Sequence, residues 1–197
     1  MWNNGVVSLF APIEPGIDPM ATTRYTSVAM ALHWLTALLI FCGFGLGLFM
    51  TGLELSPTMF RLYAWHKWIG ITVFLLAGAR LAWRAGHPPP PLPVTMPAWQ
   101  VLAATWMHGL LYVLLVAIPL SGWLYSSSTG ISVVYLGLVP LPNLVAKDRD
   151  LARVLLTVHQ TLNFTLAAMV VLHAAGALRH HLGDRDRVLA RMLPRRR

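Results

Sequence analysis

The sequence predicts an all-α integral membrane protein, built as a bundle of four transmembrane helices. Its 197 residues are 56% hydrophobic and only 11% charged, whereas a soluble domain carries roughly 25% charged residues. The apolar residues also gather in long uncharged runs, and one helix needs about 20 of them to cross a bilayer. Four such spans and their connections nearly fill the chain, so no separate soluble domain is expected.

The positions of the four spans follow from the uncharged runs. They cover residues 28–50, 60–83, 99–125 and 154–179. The second span is the least clear, because only twelve residues separate Lys67 from Arg80 and the span must be extended on both sides to cross a bilayer. In the third span, the Ser and Gly residues at 121–122 and 126–130 are expected to break the helix.

The predicted four-helix domain, residues 22–183, is flanked by two segments of different composition. Residues 1–21 hold three prolines and show no helical period, so we expect a poorly ordered N-terminal extension. Met20 is a second candidate start of translation. Residues 184–197 are predicted to form a basic amphipathic tail that lies on the cytoplasmic membrane surface.

The basic residues are distributed unequally between the two sides of the predicted bundle. Of the fifteen Lys and Arg residues, ten fall on the side of the chain termini and five on the other side. Because cytoplasmic loops carry the excess of Lys and Arg, both termini are predicted to be cytoplasmic. The net charge of +8 then indicates topology and contact with anionic lipid, and not binding to nucleic acid.

Histidines inside the spans are the main functional signal. His159 and His173 lie fourteen residues apart in the fourth span, so on a helix both side chains point to about the same face, roughly 21 Å apart. Depth in the membrane then pairs His173 with His33 near the inner end, and His159 with His66 near the outer end. Ionisable side chains inside a membrane mark function by default.

Each histidine pair suits the two axial positions of a haem iron between facing helices, an arrangement that favours electron transfer over oxygen binding. The sequence has no Cys-x-x-Cys-His motif, so we predict two haem b groups held by side-chain ligands alone. Any single histidine could instead hydrogen-bond a carbonyl on a neighbouring helix. Gly43, Gly45 and Gly47 leave one wall of the first span bare, which suits either a flat cofactor or close helix packing.

Further candidate residues lie near the predicted haem positions. His108, in the third span, has no histidine left to pair with; a structural hydrogen bond is the first interpretation and contact with haem or quinone the second. His180 follows His173 by seven residues and could line a quinone pocket near the inner haem. Charged candidates for a haem propionate or a quinone are Arg61, Lys67 and Arg84.

Several stretches of the chain together resemble the bacterial cytochrome b561 family. The resemblance covers residues 24–194 and is carried by Arg24-Tyr25-Thr26 with Leu32-His33-Trp34, His66-Lys67-Trp68-Ile69-Gly70 through Arg80-Leu81, Pro119-Leu120-Ser121-Gly122-Trp123, His159-Gln160-Thr161-Leu162, and Leu172-His173-Ala174-Ala175 with His180-His181.

This resemblance implies a multi-pass protein of the bacterial inner membrane, with haem b ligated by His33, His66, His159 and His173 and with quinone as electron partner. One member of the family is similar to a superoxide oxidase, which passes an electron from superoxide on the outer face to ubiquinone. The outer basic residues would then guide the anion, although five basic and three acidic residues leave that side at a net charge of only +2. These basic residues are Arg61, Lys67, Lys147, Arg149 and Arg153.

Two other functions remain open at this level. The chain could be a haem-bearing membrane anchor that relays electrons for a separate dehydrogenase, hydrogenase or reductase subunit. It could also be a metal transporter or a purely structural bundle, which would bind no haem.

Overall fold

The computed structural model describes residues 24–92, 96–183 and 188–193 and is mostly helical. The four long helices are α1 (Ser27–Met50), α2 (Pro57–Gly86), α3 (Ala98–Thr129) and α4 (Arg149–Leu182). Between α3 and α4, the strands β1 (Val134–Tyr135) and β2 (Val139–Pro140) form a short antiparallel hairpin. A 3₁₀ turn covers Leu189–Met192.

The prediction of four helices long and apolar enough to cross a membrane is confirmed. Each helix begins or ends a few residues outside its predicted span, most of all α2 and α4. The predicted N-terminal extension, residues 1–21, lies outside the described residues, and the predicted tail, residues 184–197, is described only at 188–193.

Side-chain caps and one glycine set the helix boundaries. Thr26, Ser56 and Asp148 each accept a hydrogen bond from a backbone N–H in the first turn of the helix that follows, which satisfies donors that the helix itself cannot pair. Pro57 occupies the first position of α2, where its missing N–H costs nothing. Gly130 ends α3 in the left-handed conformation, with φ at 79°.

The prediction that Ser and Gly residues break the third helix is wrong for residues 121–129 and confirmed only at Gly130, where the helix ends. Helix α3 continues through residues 121–129 without interruption. Hydroxyl groups of Ser121, Ser127, Ser128 and Thr129 each donate to a backbone carbonyl three or four residues earlier. Because these polar side chains are satisfied within their own helix, they are compatible with a helical segment at the end of a span.

The helices run alternately up and down, and they pack in chain order, α1 on α2, α2 on α3 and α3 on α4, whereas α1 and α4 approach each other less closely. Two small buried clusters hold the bundle together. Many large apolar side chains point outwards and are more than half exposed, among them Leu38, Phe41, Trp106 and Val171. Such an apolar exterior is what a lipid-facing surface requires.

The two ends of the bundle differ, and we name each by the segment that covers it. At the hairpin end, the Trp68 indole donates to the carbonyl of Val134 over 2.7 Å, and the hydroxyls of Thr72 and Tyr135 lie 3.0 Å apart. These bonds fix the β-hairpin against α2.

At the tail end, residues 188–193 fold back onto the start of α1. The Trp34 indole donates to the carbonyl of Met192 over 2.8 Å, and the backbone N–H of Tyr25 donates to the carbonyl of Arg191. The Arg191 guanidinium donates in turn to the carbonyl of Pro91 over 2.6 Å. The segment therefore joins α1, the α2–α3 connection and the end of α4.

Candidate cofactor site

The histidines of the four helices come together as two groups, one near each end of the bundle. The ring centres of His66 and His159 lie 6.2 Å apart with an angle of 87° between their planes. Those of His33 and His173 lie 6.3 Å apart with an angle of 72°. The structure thus brings together the same two pairs that depth in the membrane predicts.

Hydrogen bonds orient both rings of the pair at the hairpin end. The Nδ1 atom of His66 lies 3.0 Å from the carbonyl oxygen of Gly43, and that of His159 lies 3.1 Å from the carbonyl oxygen of Ile118. A carbonyl can only accept, so in each ring Nδ1 carries the proton and Nε2 keeps its lone pair. A second hydrogen bond of this kind commonly orients a metal-binding histidine.

Ser121 supports the same orientation of His159. Its hydroxyl donates to the carbonyl of Ile118 over 2.8 Å and lies 2.9 Å from His159 Nδ1, from which its oxygen accepts. The residue is buried, with 6% of its surface exposed. A serine that the sequence predicts to break the helix therefore supports a candidate ligand instead.

Two glycines give these imidazoles their space. A Cβ on Gly122 would lie 3.0 Å from Cε1 of His159, and one on Gly47 would lie 3.2 Å from Cε1 of His66. At Gly45, by contrast, a Cβ would meet nothing within 4 Å. Of the three glycines on one face of the first span, Gly47 therefore leaves space for the ring of His66, whereas Gly45 lies in open space.

A narrow cavity lies inside the bundle beside the hairpin-end pair. Its walls include His66, His159, Gly43, Asn163 and Leu166, and most of the other lining side chains are aliphatic. Cofactor sites typically combine apolar walls with a small number of polar groups in this way. The cavity therefore has the lining of a cofactor site, with the two imidazoles as its main polar groups.

The pair at the tail end has a third histidine beside it. The ring centre of His108 lies 5.2 Å from that of His173, in an edge-to-face arrangement. Its Nδ1 donates to the carbonyl of Ala104 over 2.6 Å, so the structural hydrogen bond expected for His108 is present. The contact with His173 is a further neighbour, which the sequence does not predict.

These residues follow one spacing in all four helices. The fourteen-residue interval of His159 and His173 recurs between His33 and Gly47 in α1, between His66 and Arg80 in α2, and between His108 and Gly122 in α3. The helices thus contribute one residue each to two layers. The hairpin-end layer comprises Gly47, His66, Gly122 and His159, and the tail-end layer comprises His33, Arg80, His108 and His173.

Both pairs fit a metal ion between the two rings. A metal ion lies about 2 Å from each imidazole nitrogen that binds it, and each ring centre lies a short distance behind its nitrogen. Two imidazoles on opposite sides of one metal ion therefore have ring centres about 6 Å apart. The observed separations of 6.2 and 6.3 Å agree with this value. Within the described ranges, no group of three or more His, Cys, Asp or Glu side chains is arranged to hold a metal ion by itself. Two imidazoles with apolar side chains around them suit haem.

The charged candidates lie at separate positions on the helices. Lys67 directly follows His66 on α2 and is half-buried. Arg61, nearer the start of α2, donates to the hydroxyl of Thr58 over 3.4 Å. At the opposite end, the guanidinium carbon of Arg84 lies 5.9 Å from the ring centre of Tyr112, and His180 lies in the last turn of α4.

Comparisons with known proteins agree with these features. A family model described as prokaryotic cytochrome b561 matches residues 24–195. A protein of Escherichia coli K12 named cytochrome b561 homolog 2 is 36% identical over 172 residues, which is 86% of this chain and 91% of that protein. Cytochrome b561 homolog 1 of the same organism is 30% identical over 178 residues, covering 88% and 99% of the two chains.

A third relative carries an activity in its name. The probable superoxide oxidase CybB of Yersinia pestis is 29% identical over 180 residues, which is 88% of this chain and 98% of that protein. The match to the family model over nearly the whole chain, together with the relatives and the two histidine pairs, assigns this protein to the prokaryotic cytochrome b561 family of haem b membrane electron-transfer proteins.

Proposed function

We propose that this protein carries electrons across the bacterial inner membrane from a donor at the hairpin end to the membrane quinone pool, and that the donor is superoxide. The observation that carries the proposal is the presence of two imidazole pairs, one near each end of the bundle. Their ring centres lie 6.2 and 6.3 Å apart on helices long and apolar enough to span a membrane.

Four histidines would hold two haem b groups. His66 and His159 would bind one iron at the hairpin end, each through the Nε2 left free by its Nδ1 hydrogen bond. His33 and His173 would bind the second iron at the tail end. Haem ligated by two imidazoles supplies one-electron redox chemistry with no open position for oxygen.

The charge distribution supports an orientation with the hairpin end outside. Ten of the fifteen Lys and Arg residues belong to the tail-end side of the sequence, and such an excess is retained in the cytoplasm. Superoxide is a small anion formed in water, so an outer, basic end is where it would react. Its oxidation releases O₂ and one electron, and ubiquinone takes up two electrons and two protons.

Basic residues at the hairpin end support superoxide as the donor. Arg61, Lys67, Lys147 and Arg149 lie at this end, whereas the charge of Arg153 is already paired with Asp150. A local excess of positive charge raises the association rate of an anion. The name of the Yersinia pestis relative points to the same reaction.

Two measurements test the proposal in order. The purified protein should show a low-spin b-type spectrum with two haems per chain, and His33→Ala and His66→Ala should each remove one haem and leave the other. A protein without haem would contradict the proposal and leave a transporter or a structural bundle.

Rapid mixing with superoxide and a ubiquinone analogue then tests the reaction. Quinol should form in proportion to the superoxide consumed, and at higher salt the rate should fall because salt screens the basic end. A two-haem protein that does not reduce quinone with superoxide, and that co-purifies with a dehydrogenase, hydrogenase or reductase, would instead be an electron-relay anchor subunit.

A further inference from the structure

The two layers differ at the positions that do not carry the paired histidines. In the hairpin-end layer these positions are Gly47 and Gly122, which leave space for the imidazoles. In the tail-end layer they are Arg80 and His108. Both unpaired positions of the hairpin-end layer thus lack a side chain, whereas one unpaired position of the tail-end layer carries a permanently charged guanidinium, and this charge needs an explanation inside a membrane.

Arg80 lies beside the α3 face that carries His108. The residue is half-buried, and its guanidinium carbon lies 5.5 Å from the ring centre of Tyr112, which follows His108 by one helical turn on α3. A guanidinium that served only as a contact for lipid headgroups would extend away from the bundle.

Arg84 brings a second positive charge to the same place. It lies one turn after Arg80 on the same side of α2, and its guanidinium carbon is 5.9 Å from the ring centre of Tyr112. Contact with the ring face of a tyrosine stabilises each cation but does not neutralise it.

The described residues offer these two arginines no carboxylate. The acidic residues among them are Glu54, Asp148 and Asp150, and all three lie at the hairpin end. Arg80 is half-buried and Arg84 is exposed, and two like charges beside the same ring repel each other unless an anion lies between them. Among the described residues, this site therefore has two positive charges and no acidic partner, which is the charge that a ligand with two acidic groups would complement.

We propose that Arg80 and Arg84 bind the two propionate carboxylates of the haem held by His33 and His173. This inference rests on the proposed function, because it requires a haem at the tail end. Haem b carries its two carboxylates side by side on one edge, and arginine pairs with a carboxylate through two parallel hydrogen bonds. The ring of Tyr112 keeps both guanidiniums close together, since their carbons lie 5.5 and 5.9 Å from its centre.

The charge of Arg80 then has a consequence for the direction of electron flow. A positive charge near the iron stabilises the reduced state, so it raises the reduction potential of the tail-end haem relative to the hairpin-end haem. Within the layers, the described residues place a cation only at the tail end, because α1 and α3 present glycines at the hairpin end and Lys67 lies one residue outside that layer. This asymmetry favours electrons at the tail end.

The test compares purified, haem-loaded variants in which one arginine is replaced. Arg80→Gln and Arg84→Gln remove the proposed contacts, Arg80→Lys keeps the charge but not the two-point geometry, and Arg179→Gln is the matched control, an exposed arginine at the same end. Redox titration should show that Arg80→Gln shifts the tail-end haem towards the oxidised state by about tenfold, which is about 59 mV for one electron. The hairpin-end haem and the control should be unchanged.

Infrared difference spectra between the oxidised and reduced protein identify the carboxylates directly. With haem labelled by ¹³C at its propionates, Arg80→Gln should shift the labelled carboxylate band, and Arg80→Lys should shift the band while retaining most of the potential. Unshifted labelled bands in both glutamine variants would overturn the proposal and leave a lipid phosphate as the anion. A wild-type protein that contains only the hairpin-end haem would instead contradict the proposed function, so the two failures are distinguishable.

Discussion

The hairpin-end and tail-end layers use the same fourteen-residue spacing but are constructed differently. At the hairpin end, both imidazoles are oriented by hydrogen bonds to carbonyls, and glycines on the other two helices make room for them. At the tail end, the two positions without a paired histidine carry a third imidazole, His108, and a guanidinium, Arg80. The first layer is arranged for tight, specific packing around one cofactor, whereas the second contains groups that carry charge or exchange protons.

The largest expected effect comes from filling the space of a hairpin-end glycine. In Gly122→Leu, the new side chain would occupy the position of the His159 ring, since a Cβ alone already lies 3.0 Å from its Cε1. The haem content should fall from two to one per chain, as measured by the pyridine haemochrome assay. Gly109→Leu in the same helix is the control, because its Cβ would meet nothing within 4 Å. Two haems in both variants would show that the hairpin-end layer is not closely packed.

Loss of the hydrogen bond between Ser121 and His159 is expected to weaken haem binding about tenfold. Ser121→Ala removes the hydroxyl 2.9 Å from Nδ1 and leaves the carbonyl of Ile118 as an acceptor. Loss of one such supporting group typically weakens metal binding by about 10–100-fold, and we expect the lower limit. Transfer of haem to an acceptor protein measures this change. Ser128→Ala, a buried serine bonded to the carbonyl of Tyr125, should lose haem at the wild-type rate; equal loss in both variants would exclude a specific role for Ser121.

A smaller effect, and one of opposite sign to that of Arg80→Gln, is expected from His108. The variant His108→Phe keeps a ring beside His173 but removes a polar group from the layer. A less polar site favours the haem state of lower charge, so the tail-end potential should rise, by less than the about 59 mV of a tenfold change. Redox titration with the hairpin-end haem as internal reference measures it. A fall in the tail-end potential would mean that His108 is not a dipolar neighbour of this haem.

The smallest effect should be one of stability alone. Tyr135→Phe removes the hydroxyl 3.0 Å from that of Thr72 and so loosens the β-hairpin from α2. One such hydrogen bond contributes about 1 kcal/mol, and the melting temperature should fall by a few degrees while both haem potentials stay constant. A double-mutant cycle with Thr72→Val isolates the pair, and strictly additive losses would contradict the contact.

Much of the fold could be predicted from the sequence, because a bilayer accepts few solutions. Uncharged runs of sufficient length require helices, and the depth of a histidine in one helix restricts which histidine of another helix can face it. The proximity of His33 to His173 and of His66 to His159 follows from these two constraints.

The supporting residues could not be predicted in the same way. The sequence predicts a helix break at Ser121, whereas the serine hydrogen-bonds its own helix and a neighbouring imidazole at once. Whether it can do so depends on the distance between α3 and α4, which the sequence does not give. In a count of basic residues, Arg80 indicates only the topology. Its fourteen-residue distance from His66 is the feature of the sequence that could have placed it in the tail-end layer. The same interval, compared across all four spans, is sufficient to place Gly47, Arg80 and Gly122 in the layers.

The segment at residues 188–193 also constrains the order in which the protein can be assembled. It follows α4 in the chain, so during synthesis it emerges after all four helices, and it then bonds to Trp34, near the beginning of α1. The ring of Trp34 lies 5.1 Å from that of His33. The contacts that residues 188–193 make beside the tail-end layer therefore form only after the helices that hold its histidines have been synthesised.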